Sequence, residues 1–316
     1  MIIVTGASGF IGSAIVGELN RRGITDILCV DYLQKDEKWK NLVNLKFTDY
    51  EEKDAFIKRV LFDDSILKNS VEGIIHMGAC SATTERDASF LIENNYQYTQ
   101  LLANWCVKNS RKFVYASSAA TYGDGSNGFD DDVKSLEKLK PLNMYGYSKH
   151  LFDLWASRKG LLEKIAGMKF TNVFGPNEYH KDDMRSVVHK AYGQIKETGK
   201  LKLFKSYRDG YEDGEQKRDF IFVGDIVAIN LHFAAAGPVK AILNAGTGRA
   251  RSFNDIAKTL ITHLGQGRIE YIPFPEALVG KYQSFTQADV RSLRTAGFTA
   301  PFTELEAGIA ATLAEK

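Results

Sequence analysis

The sequence predicts an α/β fold, a doubly wound parallel sheet carrying a smaller discontinuous C-terminal α/β lobe, and three observations point to it. Short β-branched apolar runs alternate with helical patterns through the first half of the chain. A glycine-rich turn directly follows the first run, and the regular pattern breaks after Pro176 before returning near Arg218. Alternation of this kind implies right-handed strand–helix–strand units and a parallel sheet covered on both faces.

Taken in order, Ile2–Thr5 reads as the first strand and leads into Gly6, Gly9 and Gly12, with a helical run from Phe10. Glycines there permit a tight turn and let backbone N–H groups approach a pyrophosphate at a helix N-terminus. Residues 27–30 form the next strand, and Asp31 ends it 19 residues beyond Gly12, placed to accept hydrogen bonds from a ribose. Strand, turn, helix and acid together predict a Rossmann-type dinucleotide site. The Asp31 carboxylate favours NAD because it repels a 2′-phosphate, whereas Lys35, Lys38, Lys40 and Lys53 offer cations to neutralise one. The residues themselves leave NAD and NADP open.

Residues 73–77, 113–116 and 169–173 read as further strands, residues 207–217 as an exposed charged loop, and 218–223 and 241–244 as strands that rejoin the first sheet. The expected division is a dinucleotide-binding domain over 1–172 plus about 218–246, and a substrate domain over about 173–217 plus 247–316.

Composition narrows the function. With 41 basic and 39 acidic residues, a net charge of +2 and a pI near 8.2, no nucleic-acid footprint is indicated. The start of the chain carries no targeting pattern and no apolar run approaches the roughly 20 residues of a membrane span, so a cytoplasmic protein is expected. Cys29, Cys80 and Cys106 are too dispersed for a disulfide framework, and His76, His180 and His189 lack metal-ligand spacing.

Tyr145 and Lys149 stand four apart at the start of a helical stretch, which sets both side chains on one face. A cation there stabilises tyrosinate, and a phenol so tuned exchanges a proton with a substrate hydroxyl while a nicotinamide handles the electrons. Ser117 and Ser118 close the intervening strand, and Ser118 is the better donor to the reacting oxygen.

The glycine turn, the serine-ended strand and the tyrosine–lysine pair resemble the extended short-chain dehydrogenase/reductase family, and the likeness runs along essentially the whole chain. Residues 218–225 and 244–248 are similar to its later segments. Dehydratases of that family carry an acidic pair after the active-site serine or threonine, whereas Ala119, Ala120 and Thr121 follow Ser118 here. Dehydration is therefore disfavoured. The chain looks most like the nucleotide-sugar epimerases of that family that invert C6 of an ADP-linked heptose, above all over 271–275 and 282–289.

That resemblance implies a transient 6-keto intermediate, Lys181 as a second catalytic acid/base beside Tyr145, Lys149 and Ser118, a preference for NADP, and a homo-oligomer, by likeness a pentamer. It places the cofactor on Gly6, Gly9, Phe10, Ile11, Gly12, Asp31, Tyr32, Lys38, Lys53, Met77, Gly78, Ala79, Cys80, Ser81, Asn94, Lys149, Val173 and Lys181. It places the nucleotide sugar on Ser118, Asn172, Asp183, Lys190, Phe204, Lys205, Ser206, Tyr207, Arg218 and Tyr282. Tyr32, Met77, Asp183 and Lys190 depart from the residues usual there. A 4-epimerase or epimerase/reductase would use the same pair, and a catalytically silent dinucleotide sensor would have no need of it.

Overall fold

A computed structural model describes residues 1–207, 209–236, 241–276 and 283–314. Its strands are β1 (Ile2–Thr5), β2 (Ile27–Asp31), β3 (Asp49–Glu52), β4 (Gly73–His76), β5 (Lys112–Ser118), β6 (Ala166–Phe170), β7 (Asn172–Phe174), β8 (Lys200–Phe204), β9 (Lys217–Phe222), β10 (Ala241–Ala245), β11 (Ala250–Ser252) and β12 (Arg268–Ile272). The helices are α1 (Phe10–Arg21), α2 (Lys53–Leu61), α3 (Ser65–Ser70), α4 (Ala88–Leu91), α5 (Tyr98–Lys108), α6 (Met144–Arg158), α7 (Val187–Thr198), α8 (Val223–Ala235), α9 (Phe253–Leu264), α10 (Arg291–Thr295) and α11 (Leu305–Ala314).

Seven parallel strands form the main sheet in the order β10-β6-β5-β4-β1-β2-β3. Every residue of β2 and β4 is buried, as a strand covered on both faces requires. Alternate residues serve opposite faces: Ile3, Leu28 and Ile74 pack with Phe56, Leu102 and Phe152 from α2, α5 and α6. Val4, Cys29 and Ile75 pack instead with Ile15 and Val16 of α1 and Val227 and Leu231 of α8. Strand order reverses between β1 and β4, and such a switch point opens a crevice at the carboxyl ends of the strands.

The second lobe is built on a three-stranded sheet, β11-β9-β7, and a parallel pair, β12-β8. Val188 and Ile195 of α7, Ile256 and Leu260 of α9, and Leu305 and Ile309 of α11 fill its core.

Residues 241–244 do lie in the main sheet, but 218–223 do not rejoin it: β9 pairs with β7 and β11. Phe220 faces the second-lobe core while Ile221 faces the main one, so β9 is apolar on both sides and carries no mark of the sheet it enters. The single strand expected over 169–173 is two, because the chain leaves the main sheet at Thr171. Residues 209–216 are irregular as expected, yet not simply exposed, and Lys217 already opens β9. Gln216 is buried, Gly214 N–H bonds Phe204 O, and Asn254 Nδ2 donates to Asp213 O.

Candidate active site

At the end of β1 the chain turns so tightly that side chains are excluded. Gly6 has φ +67°, and a Cβ on it would lie 2.7 Å from Gly78 N; a Cβ on Gly12 would lie 2.0 Å from Gly6 O. Gly9, the cap residue of α1, has no side chain with which to accept from the helix, so the first N–H groups of α1 are left for a ligand in the crevice that Gly9, Phe10, Ile11 and Gly12 line. This cradle fits a pyrophosphate.

Asp31 is 8% exposed and accepts from Ser8 N–H at 2.8 Å, Tyr32 N–H at 2.7 Å and Lys38 Nζ at 2.8 Å. Burial pushes its pKa up, but Lys38 and the two N–H groups outweigh that and hold it below the ordinary value. Lys53 Nζ donates to Asn94 Oδ1 at 2.6 Å and sits 5.2 Å above the Tyr32 ring.

Tyr145 stands in the first turn of α6, whose N-terminus is capped by Asn143 accepting from Gly146 N–H at 2.8 Å. A Cβ at Gly146 would lie 2.8 Å from Ala120 O, so glycine is what lets this turn press against the end of β5. There Ser118, whose hydroxyl accepts from Ala120 N–H at 3.1 Å, acts on the Tyr145 phenol. Burial raises the phenol's pKa and Ser118 opposes it, leaving it above its ordinary value in the protein by itself. Lys149 is 5% exposed and donates to Ala116 O at 2.8 Å. Burial lowers it to about 8, against the pull of Asp153 one turn further along α6.

Lys181 projects from a short 3-10 element, Tyr179–Met184, and its Nζ lies 5.4 Å from the Phe10 ring centroid. Burial lowers its pKa and Glu178 raises it.

A cleft of about 360 Å³ gathers Gly6, Gly9, Phe10, Ile11, Gly12, Asp31, Lys38, Met77, Gly78, Ala79, Cys80, Ser81, Tyr145, Lys149 and Lys181. An adjoining cavity of about 210 Å³ adds Tyr32, Lys53 and Asn94. Val173 packs partly buried against the two cores beside it. Among the described residues the remaining substrate candidates line neither cavity. Asn172 is exposed at the start of β7, and Asp183 and Lys190 are exposed before and on α7. Phe204, at the end of β8, meets Phe274 at 5.4 Å, and Tyr207 stacks on the same ring at 4.0 Å. Lys205 N–H bonds Ile272 O, and Ser206 N–H bonds Asp213 Oδ1. Arg218 is buried with its guanidinium 5.9 Å from the Phe253 ring. Tyr282 lies outside the described residues.

Three features escaped the sequence reading. Phe274 is a shared ring between Phe204 and Tyr207. Asp153 and Lys169, both fully buried, form an ion pair at 2.9 Å between α6 and the sheet, on the helical face that also carries Tyr145 and Lys149. Glu178 is a buried carboxylate without a basic side chain in its hydrogen bonds. Only Asp153 left a signal, its i,i+4 spacing from Lys149.

A dinucleotide cradle running into a Tyr–Ser–Lys cluster at a switch point defines the class, and the chain belongs to the NAD dependent epimerase/dehydratase family, whose model matches residues 2–246. Among its relatives, the ADP-L-glycero-D-manno-heptose-6-epimerase of Nitratidesulfovibrio vulgaris (strain DP4) is 54% identical over 98% of this chain and 95% of its own length. That of Fusobacterium nucleatum is 47% identical over 98% and 96%. The crystal structure of Helicobacter pylori ADP-L-glycero-D-manno-heptose-6-epimerase superposes with a TM-score of 0.82 at 26% identity, covering 99% of this chain and 95% of that one. Among the described residues no helix is long and apolar enough to cross a membrane, and no group of His, Cys, Asp or Glu is disposed to hold a metal ion.

Proposed function

We infer that the chain is an ADP-heptose 6-epimerase, converting ADP-D-glycero-manno-heptose to ADP-L-glycero-manno-heptose for the heptose of lipopolysaccharide core. Its 54% identity to a 6-epimerase over nearly the whole chain supports the substrate. The chemistry rests on one observation: Tyr145 and Lys181 enter the same cleft from different elements, α6 and the 179–184 turn. Inversion through a ketone exposes two faces of one carbon in turn, and a proton-handling group for each face meets that need.

A bound nicotinamide dinucleotide supplies the reversible two-electron oxidation at C6 and a positive ring that favours an ionised phenol. Tyr145 takes the proton of the C6 hydroxyl as the alcohol becomes a ketone, and Ser118 donates to the same oxygen. Lys149, as an ammonium, counters the burial that would keep the phenol neutral. Lys181 supplies a proton of its own to that C6 oxygen when the ketone is reduced from its other face, and the proton held on Tyr145 and the one missing from Lys181 are exchanged with solvent before the next turnover. Gly6, Gly9 and Gly12 with the start of α1 hold the pyrophosphate. Lys38 and Lys53 flank the Asp31 ribose position, which favours NADP. Asn172, Asp183, Lys190, Arg218, Tyr282 and the 204–207 segment hold the nucleotide sugar, with Phe204 and Tyr207 offering rings for adenine.

The test is to incubate purified protein with ADP-D-glycero-manno-heptose and follow C6 configuration by NMR, with UDP-hexoses in parallel. Epimerised UDP-hexose with untouched ADP-heptose would establish a 4-epimerase instead. Tyr145→Phe is expected to fold, keep its cofactor and lose turnover by roughly 10²-fold or more; wild-type turnover in that variant removes Tyr145 from the chemistry.

A further inference from the structure

The segment that carries Lys181 turns on a strained residue. Its short helical element is two turns merged across a kink at Asp182, where φ is +43° and ψ is −121°. Type II′ turns place glycine at that corner of conformational space, and a residue with a Cβ stays there only when its surroundings over-determine the backbone. Asp182 does not hold itself: its side chain is 95% exposed, and its ion pair with Arg185 spans 3.9 Å.

Arg185 donates across the kink to Tyr179 O and Asp182 O, and Glu178 supplies the restraint on the two ends of the segment. Its carboxylate is 1% exposed, and three donors converge on it: Gly175 N–H at 3.1 Å, the Ser186 hydroxyl at 2.7 Å and Ser186 N–H at 2.5 Å. Gly175 follows β7 directly, and a Cβ there would lie 2.4 Å from Val223 Cγ1, so that end is pressed against α8. Ser186 caps α7, its Oγ accepting from His189 N–H at 3.3 Å. One carboxylate therefore ties the two ends of the 175–186 segment together, and the Glu178 carbonyl takes Lys181 N–H at 3.0 Å.

We propose that Glu178 is a positioning residue for Lys181: it closes the 175–186 segment into a clamp that holds the Asp182 kink and aims the Lys181 ammonium into the cleft over Phe10. The proposal rests on Lys181 acting in the epimerisation. The same carboxylate also favours the charged form of Lys181 against burial. Other groups near it do not supply that charge. Burial lowers His180 on the same element, and Lys38, from the 37–42 turn, is committed to Asp31. Asp36 acts on His180, while Tyr145 and Lys149 of α6 line the cleft as a phenol raised, and an amine lowered, by burial.

Glu178→Gln keeps the shape and one acceptor oxygen while removing the charge. The apparent pKa of Lys181, read from the pH dependence of its reductive methylation by mass spectrometry, should fall by about one unit. Turnover should fall about tenfold or more with KM within about twofold, since an aimed group rather than binding is lost. Adding Asp182→Gly should recover most of the turnover, because glycine occupies the kink without a clamp, while the Lys181 pKa stays low. A plain structural staple would lower stability and leave the Lys181 titration where it was. An unchanged Lys181 pKa in Glu178→Gln, or a double variant no more active than the single, overturns the proposal.

If Glu178→Gln does not fold, the double variant is measured in its place, and Asp182→Gly alone should melt about 2 °C above wild type. A lower melting temperature for Asp182→Gly overturns the clamped-strain argument. Lys181→Met separates this inference from the function beneath it: wild-type turnover there removes Lys181 from the reaction, while the effect of Glu178→Gln on the Lys181 titration is still read in the protein that keeps Lys181.

Discussion

Breaking the buried ion pair between α6 and the sheet should cost far more than removing it whole, and unequally from its two ends. Lys169 and Asp153 are both 0% exposed, with Nζ 2.9 Å from Oδ2. Lys169→Met leaves a carboxylate that still accepts from Ser117 Oγ at 2.7 Å and Tyr115 OH at 3.0 Å. Two hydroxyl donors offset part of the desolvation, so the loss should fall at the lower end of the range for a broken buried pair, about 3 kcal/mol. Asp153→Asn leaves an ammonium with neutral partners alone, the new amide oxygen, Thr121 Oγ1 at 2.7 Å and the face of Tyr122 at 5.1 Å. Its loss should approach about 5 kcal/mol. The double variant Asp153→Asn/Lys169→Met strands no charge and should lie within about 1 kcal/mol of wild type. Urea unfolding followed by circular dichroism, with the slope held common, measures all three. Singles within about 1 kcal/mol of wild type, or a double as costly as the worse single, would refute the view that this pair is held by mutual compensation.

Other expectations can be checked separately. Gly12→Ala puts a Cβ 2.0 Å from Gly6 O, so α1 must shift off the turn; dinucleotide affinity by calorimetry should drop at least about 100-fold, and an unchanged affinity would remove the cradle from cofactor binding. His76 is lowered by burial from 6.5 to about 3, so between those values the unfolded chain binds a proton that the folded one refuses. Stability should therefore rise with pH across that window, by about 1.5 kcal/mol from pH 5 to 6.5 for this group, and the His76 ring resonances should not titrate above about pH 4. Lys53→Met should weaken NADP about tenfold while changing NAD less than about twofold; equal losses would assign Lys53 to the shared ribose.

How far the sequence could be read depended on how local each cause was. β1, the glycine turn and Asp31 are legible because one short stretch contains the strand, the close approach and the acid. Tyr145 and Lys149 are legible because helical spacing alone sets them side by side. β9 was misplaced because burial on both faces erases the alternation that would reveal its sheet. β3 carries the charged run Asp49–Glu52 at the sheet edge, where exposed residues leave no apolar pattern. Lys169 looked like a charge at the start of a strand, and only the fold shows it reaching Asp153 across β5 and α6. Glu178 is similarly mute in sequence, since its partners at Gly175 and Ser186 are backbone groups and a serine, which advertise nothing.

The two lysines proposed for the chemistry share a physical design. Each is drawn toward the neutral amine by burial and toward the ammonium by one carboxylate behind it, Asp153 for Lys149 and Glu178 for Lys181. Neither carboxylate lines the cleft. Each instead spends its hydrogen bonds on framework: Asp153 on β5 and Lys169, Glu178 on the two ends of the 175–186 segment. A carboxylate placed within the cleft would pair with its lysine directly, quench the charge and compete with an anionic ligand for it. Set behind the lysine and held by donors of its own, it biases protonation while leaving the Lys149 ammonium to act on the phenol and that of Lys181 to meet substrate oxygen. Packing and acid–base tuning are thus carried by the same two side chains, and changes at either should alter both together.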